Sequence, residues 1–310
     1  MHVSPLEFAT LVEALLEAAL FGVYAVLFAT VVYLFRSRDR RPANIILAGL
    51  VLQFLTLTAH WSTSLYRILH IVGWLSPQEA EEFLSQLSSK SYLVDLSLSG
   101  AVFCISNLLV IHRVYVVCSR RLPFIIPALA MLLGEIISEI VLVYSVGKTW
   151  AGQSFVQLFA LSNPWVTTAL STSIMISVYS TVIISWKILR VARVVKLHRA
   201  EPSTTTSLTT ALVSMAESAA LQTAATITLL VTYQIGIVVQ VIFNGIVPVI
   251  AGISTVLIYA RVGLGWAYGG SEVMDPGQRS TELRISFAPA LTLPLDDINT
   301  GGEVGRRQSK

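Results

Sequence analysis

Long apolar runs recur along this chain, and nothing constrains its fold more. A helix that crosses a hydrocarbon core needs about 20 mostly apolar residues. The sequence supplies such runs at about 8–35, 43–70, 92–118, 122–146, 164–187, 212–242 and 246–266. The last two form one almost unbroken stretch, which as a single helix would run about 80 Å against a core of about 30 Å. The "NGIVP" at 244–248 carries turn chemistry and is the expected join between them. With 13% charged residues against the roughly 25% usual for soluble domains, the composition agrees. The expected fold is therefore an all-α, polytopic membrane protein with a seven-helix transmembrane bundle at 1–268.

Lysine and arginine in short loops set the expected orientation. Arg36, Arg38, Arg40 and Arg41 follow the first run, Arg120 and Arg121 the third. Lys187, Arg190, Arg193, Lys196 and Arg199 follow the fifth. The opposite loops hold only Lys90 and Lys148. The N-terminus is expected outside and the C-terminus in the cytoplasm, with a disordered cytoplasmic tail at 269–310 rich in Gly, Ser, Pro and charge. In the outer loop, "SPQE" at 76–79 predicts the start of a short surface helix. The formal net charge of +3 comes without a dense basic tract, so nucleic acid is not an expected partner.

Polar residues within the runs are costly in lipid and usually face the bundle interior. At 100° per residue, Asp95, Ser99, Ser106 and Arg113 share one stripe down the third run. Gln53, His60, Ser64 and Arg67 share a face of the second, Glu13, Glu17 and Tyr24 of the first, and Glu135 and Glu139 of the fourth. Ser218, Gln222, Thr226 and Tyr233 align on the sixth. One reading makes Glu13, Glu17, His60, Arg67, Asp95, Glu135 and Glu139 the lining of an outward-opening, net-acidic cavity for a small ligand. The other makes them a structural ion-pair network, for example Arg67 with Asp95. At the cytoplasmic end, Arg113 and Glu217 lie at similar depth and form an expected cross-bundle pair, with Arg261 as competing partner. The alternative has Arg113 reaching lipid phosphates and Glu217 reaching water.

Several chemistries lack their residues. The seventh run has no lysine for a retinal Schiff base, and the five histidines form no H-x-x-x-H or H-E-x-x-H pair for zinc. No G-x-S-x-G elbow supports a serine hydrolase. No cofactor and no enzymatic activity are expected.

The segments "TAHWSTSLYRILH", "IHRVYVVCSRR", "MAESAALQTAATITLL" and "GISTVLIYARVGLG" together resemble a large family of seven-span membrane proteins from mushroom-forming fungi. The shared pattern is R-x-Y late in span three, Glu-Ser in span six and R-V-x-L-G closing span seven. The resemblance implies a fungal membrane location and a seven-helix bundle, and carries no activity with it. The layout is also similar to G-protein-coupled receptors in architecture alone, since "HRVY" replaces the acidic-Arg-Tyr motif and N-P-x-x-Y is missing. The leading expectation is a receptor-like protein of the plasma membrane that acts through a cytoplasmic signalling partner at the inner ends of spans three, six and seven. The alternative is a proton- or cation-coupled small-solute transporter.

Overall fold

The computed structural model describes residues 5–36, 44–74, 79, 83, 90–118, 121–148, 155–198, 203–235 and 237–268. Among them the long elements are all helices: α1 (Pro5–Arg36), α2 (Asn44–Trp74), α3 (Lys90–Val117), α4 (Ile126–Gly147), α5 (Phe155–His198), α6 (Ser203–Ile235) and α7 (Ile237–Tyr268). A short 3-10 turn, Leu122–Phe124, leads into α4. Pro123 and Pro127 fall where a missing N–H costs least, at the first positions of the turn and of α4, whereas Pro164 and Pro248 lie inside α5 and α7. The tail at 269–310 lies outside the described residues, as does most of the surface helix expected after Ser76, of which Glu79 and Phe83 are helical.

Each helix packs on the next, and α7 returns to α1 and closes a ring. Helix α3 is the centre: besides α2 and α4 it touches α5 and α7. Contacts between ends show alternating directions. Ser162 near the start of α5 meets Tyr233 near the end of α6, and Glu217 early in α6 meets Arg261 late in α7.

The distribution of polarity is inverted relative to a water-soluble protein. Leu15, Val26, Ile45, Ile140, Met175 and Val182 lie exposed on the outside, while Glu17, Gln53, His60, Asp95, Asn107 and Glu135 are buried within. Large contiguous apolar surfaces are rare on soluble monomers, and helices satisfy their own backbone in lipid. Six of the helices are long and apolar enough to cross a membrane. This is a helical bundle built for a bilayer. The six are α1 to α5 and α7; α6 carries Glu217, Gln222 and Gln234 in its described part.

The join expected at 244–248 is wrong. Helix α7 runs through it with Pro248 inside, and α6 ends at Ile235 while α7 begins at Ile237. Turn chemistry at "NGIVP" is overridden because this segment is buried against α1, where Gly245 admits a side chain that a Cβ would displace. Elsewhere the periodic reading holds. The polar faces predicted on runs one, two, three and six are the buried faces, with Arg67 and Arg113 only partly covered.

Helices α1 and α2 are joined below their charged residues by aromatic rings. Phe21 stacks on Trp61 at 5.0 Å between centroids, and Phe28 on Phe54 at 4.4 Å. Tyr24 and Leu57 complete this core, with Val249, Ile253 and Val256 from α7. Such offset pairs add about 0.5–1.5 kcal/mol beyond their buried area. They fix the register that brings Glu17 to His60.

Candidate functional site

The charged residues of α1, α2 and α3 meet at one end of the bundle. His60 is fully buried, and its two ring nitrogens face two carboxylates: Nδ1 lies 2.9 Å from Glu17 Oε1, and Nε2 3.5 Å from Asp95 Oδ1. Asp95 then receives Arg67 Nη1 on Oδ2 at 3.2 Å and Ser64 Oγ on Oδ1 at 3.4 Å. Arg67 in turn lies over the Tyr92 ring, 5.5 Å from its centroid. The result is one chain, Glu17–His60–Asp95–Arg67, across three helices. Its register follows from sequence: Ser64 stands one turn after His60, and Arg67 nearly another, so one face of α2 addresses Asp95 three times.

Glu13, one turn before Glu17, joins this group from the α7 side. It is buried, within electrostatic reach of Arg67, Asp95 and Glu17, and it accepts the Gly245 N–H. The cluster thus holds three carboxyls against one guanidinium and one imidazole. Among the described residues, Glu17 Oε2, Arg67 Nε and His60 Nε2 have no hydrogen-bond partner, the last lying 3.5 Å from Asp95 as a charge contact only. Among the described residues, no group of three or more His, Cys, Asp or Glu is arranged to hold a metal ion.

Glu135 and Glu139 belong to a different place. Glu135 is buried and takes Asn107 Nδ2 on both oxygens, at 2.9 and 2.8 Å, while the same nitrogen lies 2.8 Å from Ser173 Oγ. Glu139 lies against Gly100, with Oε2 2.7 Å from where a Cβ would stand. This second cluster joins α3, α4 and α5. Asn107 is twelve positions after Asp95, which turns it by about 120° and moves it about 18 Å along α3. The seven residues expected to line one cavity therefore divide into two groups on different sides of α3.

Asn107 and Ser173 are the residues that sequence reading missed. Asn107 lies off the Asp95–Arg113 stripe, and a stripe argument looks at one face only. The signal was present nonetheless: a buried amide needs partners, and Glu135 on the next span lies at matching depth. Gln53 makes a similar link to α3, donating from Nε2 to Ser106 Oγ at 2.7 Å.

At the opposite end, the expected pair of Arg113 with Glu217 does not form. Glu217 is bound by Arg261, Nη1 to Oε2 at 3.0 Å, with the two side chains 39% and 62% exposed for Arg and Glu. Arg113 instead lies over the Tyr259 ring of α7, its Cζ 3.7 Å from the centroid. Depth was matched correctly and direction was not: on α7, Tyr259 faces α3, while Arg261 two residues on turns to α6. With Tyr259 buried and Arg113 only partly covered, such a cation–π contact contributes about 1–2 kcal/mol. Tyr259→Leu is therefore expected to lower stability in detergent by about that amount, with most of it lost again in an Arg113→Ala background. In a thermal-denaturation cycle, Arg113→Ala and Glu217→Ala should show coupling below about 0.5 kcal/mol. A larger coupling would restore the direct pair.

No family model matches the chain, and no curated protein or solved structure shows a significant match.

Proposed function

We propose that this chain is a receptor-like, seven-span integral membrane protein of the plasma membrane, related to the fungal seven-span group it resembles. Its N-terminus is outside and its C-terminus cytoplasmic, and it has no catalytic role. A small ligand acts at the Glu13–Glu17–His60–Asp95–Arg67 cluster, and a cytoplasmic protein reads the change at the inner ends of α3, α6 and α7. The observation that carries this reading is the buried Glu17–His60–Asp95–Arg67 chain. It ties three helices together at the end opposite the basic loops, so any ligand that competes for one member alters how all three are held. With three carboxyls to one guanidinium and one imidazole, the favoured ligand is a small organic cation. Helix α6 is the seventh crossing: at 33 residues it spans about 50 Å, and its less apolar side is accounted for by buried Ser218, Gln222 and Thr226. Helix α5, at 44 residues, runs about 66 Å and carries Lys187, Arg190, Arg193 and Lys196 beyond the hydrocarbon core.

One observation favours a transporter as second reading. An imidazole held between two carboxylates is an arrangement that can hand on a proton, and ionisable residues inside membranes often mark proton relays. Proteoliposomes containing the purified chain separate the two. The receptor reading expects no proton flux under an imposed gradient, together with a saturable rise in melting temperature for a member of a panel of small amines, abolished in Asp95→Asn. Proton flux that disappears in His60→Gln would replace the receptor by the transporter.

A further inference from the structure

The outer cluster is not confined to α1, α2 and α3, because Glu13 reaches the backbone of α7 at its weakest point. In a regular helix each carbonyl accepts the N–H four residues on. Pro248 has no N–H, so the Asn244 carbonyl is left without its helical donor. The next residue, Gly245, has no side chain and is among the poorest helix formers. Into that gap comes the Glu13 carboxylate: a Cβ on Gly245 would lie 2.6 Å from Oε1 and 2.8 Å from Cγ of Glu13. The carboxylate accepts the Gly245 N–H. Sequence reading took this same "NGIVP" for a turn, and its chemistry is that of a turn; the structure shows it within a helix.

The far part of α7 carries the contacts to the other end. Tyr259 and Arg261 lie about 21 and 24 Å further along, on Arg113 of α3 and Glu217 of α6. We propose that Glu13 is a latch that holds α7 closed over 244–248, and that releasing it opens a hinge there which shifts the Tyr259 and Arg261 contacts. This deepens the receptor reading and rests on it for its signal. Arg67, Asp95 and Glu17 all act electrostatically on Glu13. A cation bound in the cluster draws the Glu13 carboxylate away from Gly245. The Asn244 carbonyl lacks its helical donor throughout, and without Glu13 packed on Gly245 this is the least supported turn of α7, so the helix bends there, as helices do at proline.

Hydrogen exchange on the full chain in detergent, followed by mass spectrometry, tests the latch without any ligand. Glu13→Leu is expected to speed exchange in the peptide covering 241–249 by about tenfold, with the rest of α7 changed less than about twofold. Pro248→Ala restores the missing N–H and is expected to suppress most of that gain in the Glu13→Leu background. Gly245→Ala, whose Cβ displaces Glu13 directly, should give the same local signature and stands in if Glu13→Leu does not fold. Unchanged exchange in both single variants would overturn the proposal, as would acceleration spread evenly along α7 or untouched by Pro248→Ala. The amine panel addresses the ligand separately, so failure there leaves the latch standing, and failure here leaves the ligand site standing.

Discussion

His60→Ala is expected to lower the stability of the bundle by about 3–5 kcal/mol, the range for removing one partner from a buried ion pair. His60 and Glu17 are fully buried and Asp95 is 2% exposed, so neither carboxylate can recover the lost contact from water. The imidazole also fills space between α1, α2 and α3, and its removal leaves a cavity on top of the electrostatic loss. Denaturation in detergent measures the loss. A cycle with Glu17→Gln isolates the 2.9 Å contact; coupling of about 1–2 kcal/mol is expected, near the upper end for polar contacts between membrane helices. A total loss under about 1 kcal/mol would mean that the cluster behaves as a solvated surface pair.

Asn107→Leu carries the second large effect, on the other side of α3. It removes the donor to both oxygens of Glu135 and to Ser173 while leaving the carboxyl buried. Stranding a buried polar group costs about 1–3 kcal/mol, and more for a charged one. Stability in detergent should therefore fall by about 3 kcal/mol. Replacing both partners by apolar groups of similar shape is close to neutral, so Asn107→Leu with Glu135→Met should be more stable than Asn107→Leu alone. If the second substitution deepens the loss, Glu135 has another essential partner.

These two predictions also mark how far the sequence is legible. Helical periodicity placed His60, Asp95, Glu17 and Glu135 on buried faces, because a charged residue inside an apolar run has one tolerable direction. It could not say which buried faces meet. Glu13, Glu17, His60, Arg67 and Asp95 do come together, whereas Glu135 and Glu139 were grouped with them by depth and lie around the far side of α3. Arg113 failed for the same reason: equal depth suggested Glu217, and rotation of α7 supplied Tyr259. The join between the last two helices failed for a local reason. Asn244, Gly245 and Pro248 are turn formers in isolation, but packing on α1 holds them helical, and α6 instead gives way to α7 between Ile235 and Ile237. Depth is readable from composition along the chain; azimuth between helices depends on packing that no one helix encodes.

On the proposed reading, α6 is a seventh crossing beside the six helices long and apolar enough to span, and it is this crossing that puts the two termini on opposite faces of the membrane. Labelling of terminal tags in intact cells measures this directly. A tag before Met1 should be accessible from outside and a tag after Lys310 protected until the membrane is permeabilised. Equal labelling of both tags from outside would mean an even number of crossings, leave α6 out of the membrane path, and contradict a receptor whose signalling contacts on α6 and α7 face the cytoplasm with its C-terminus.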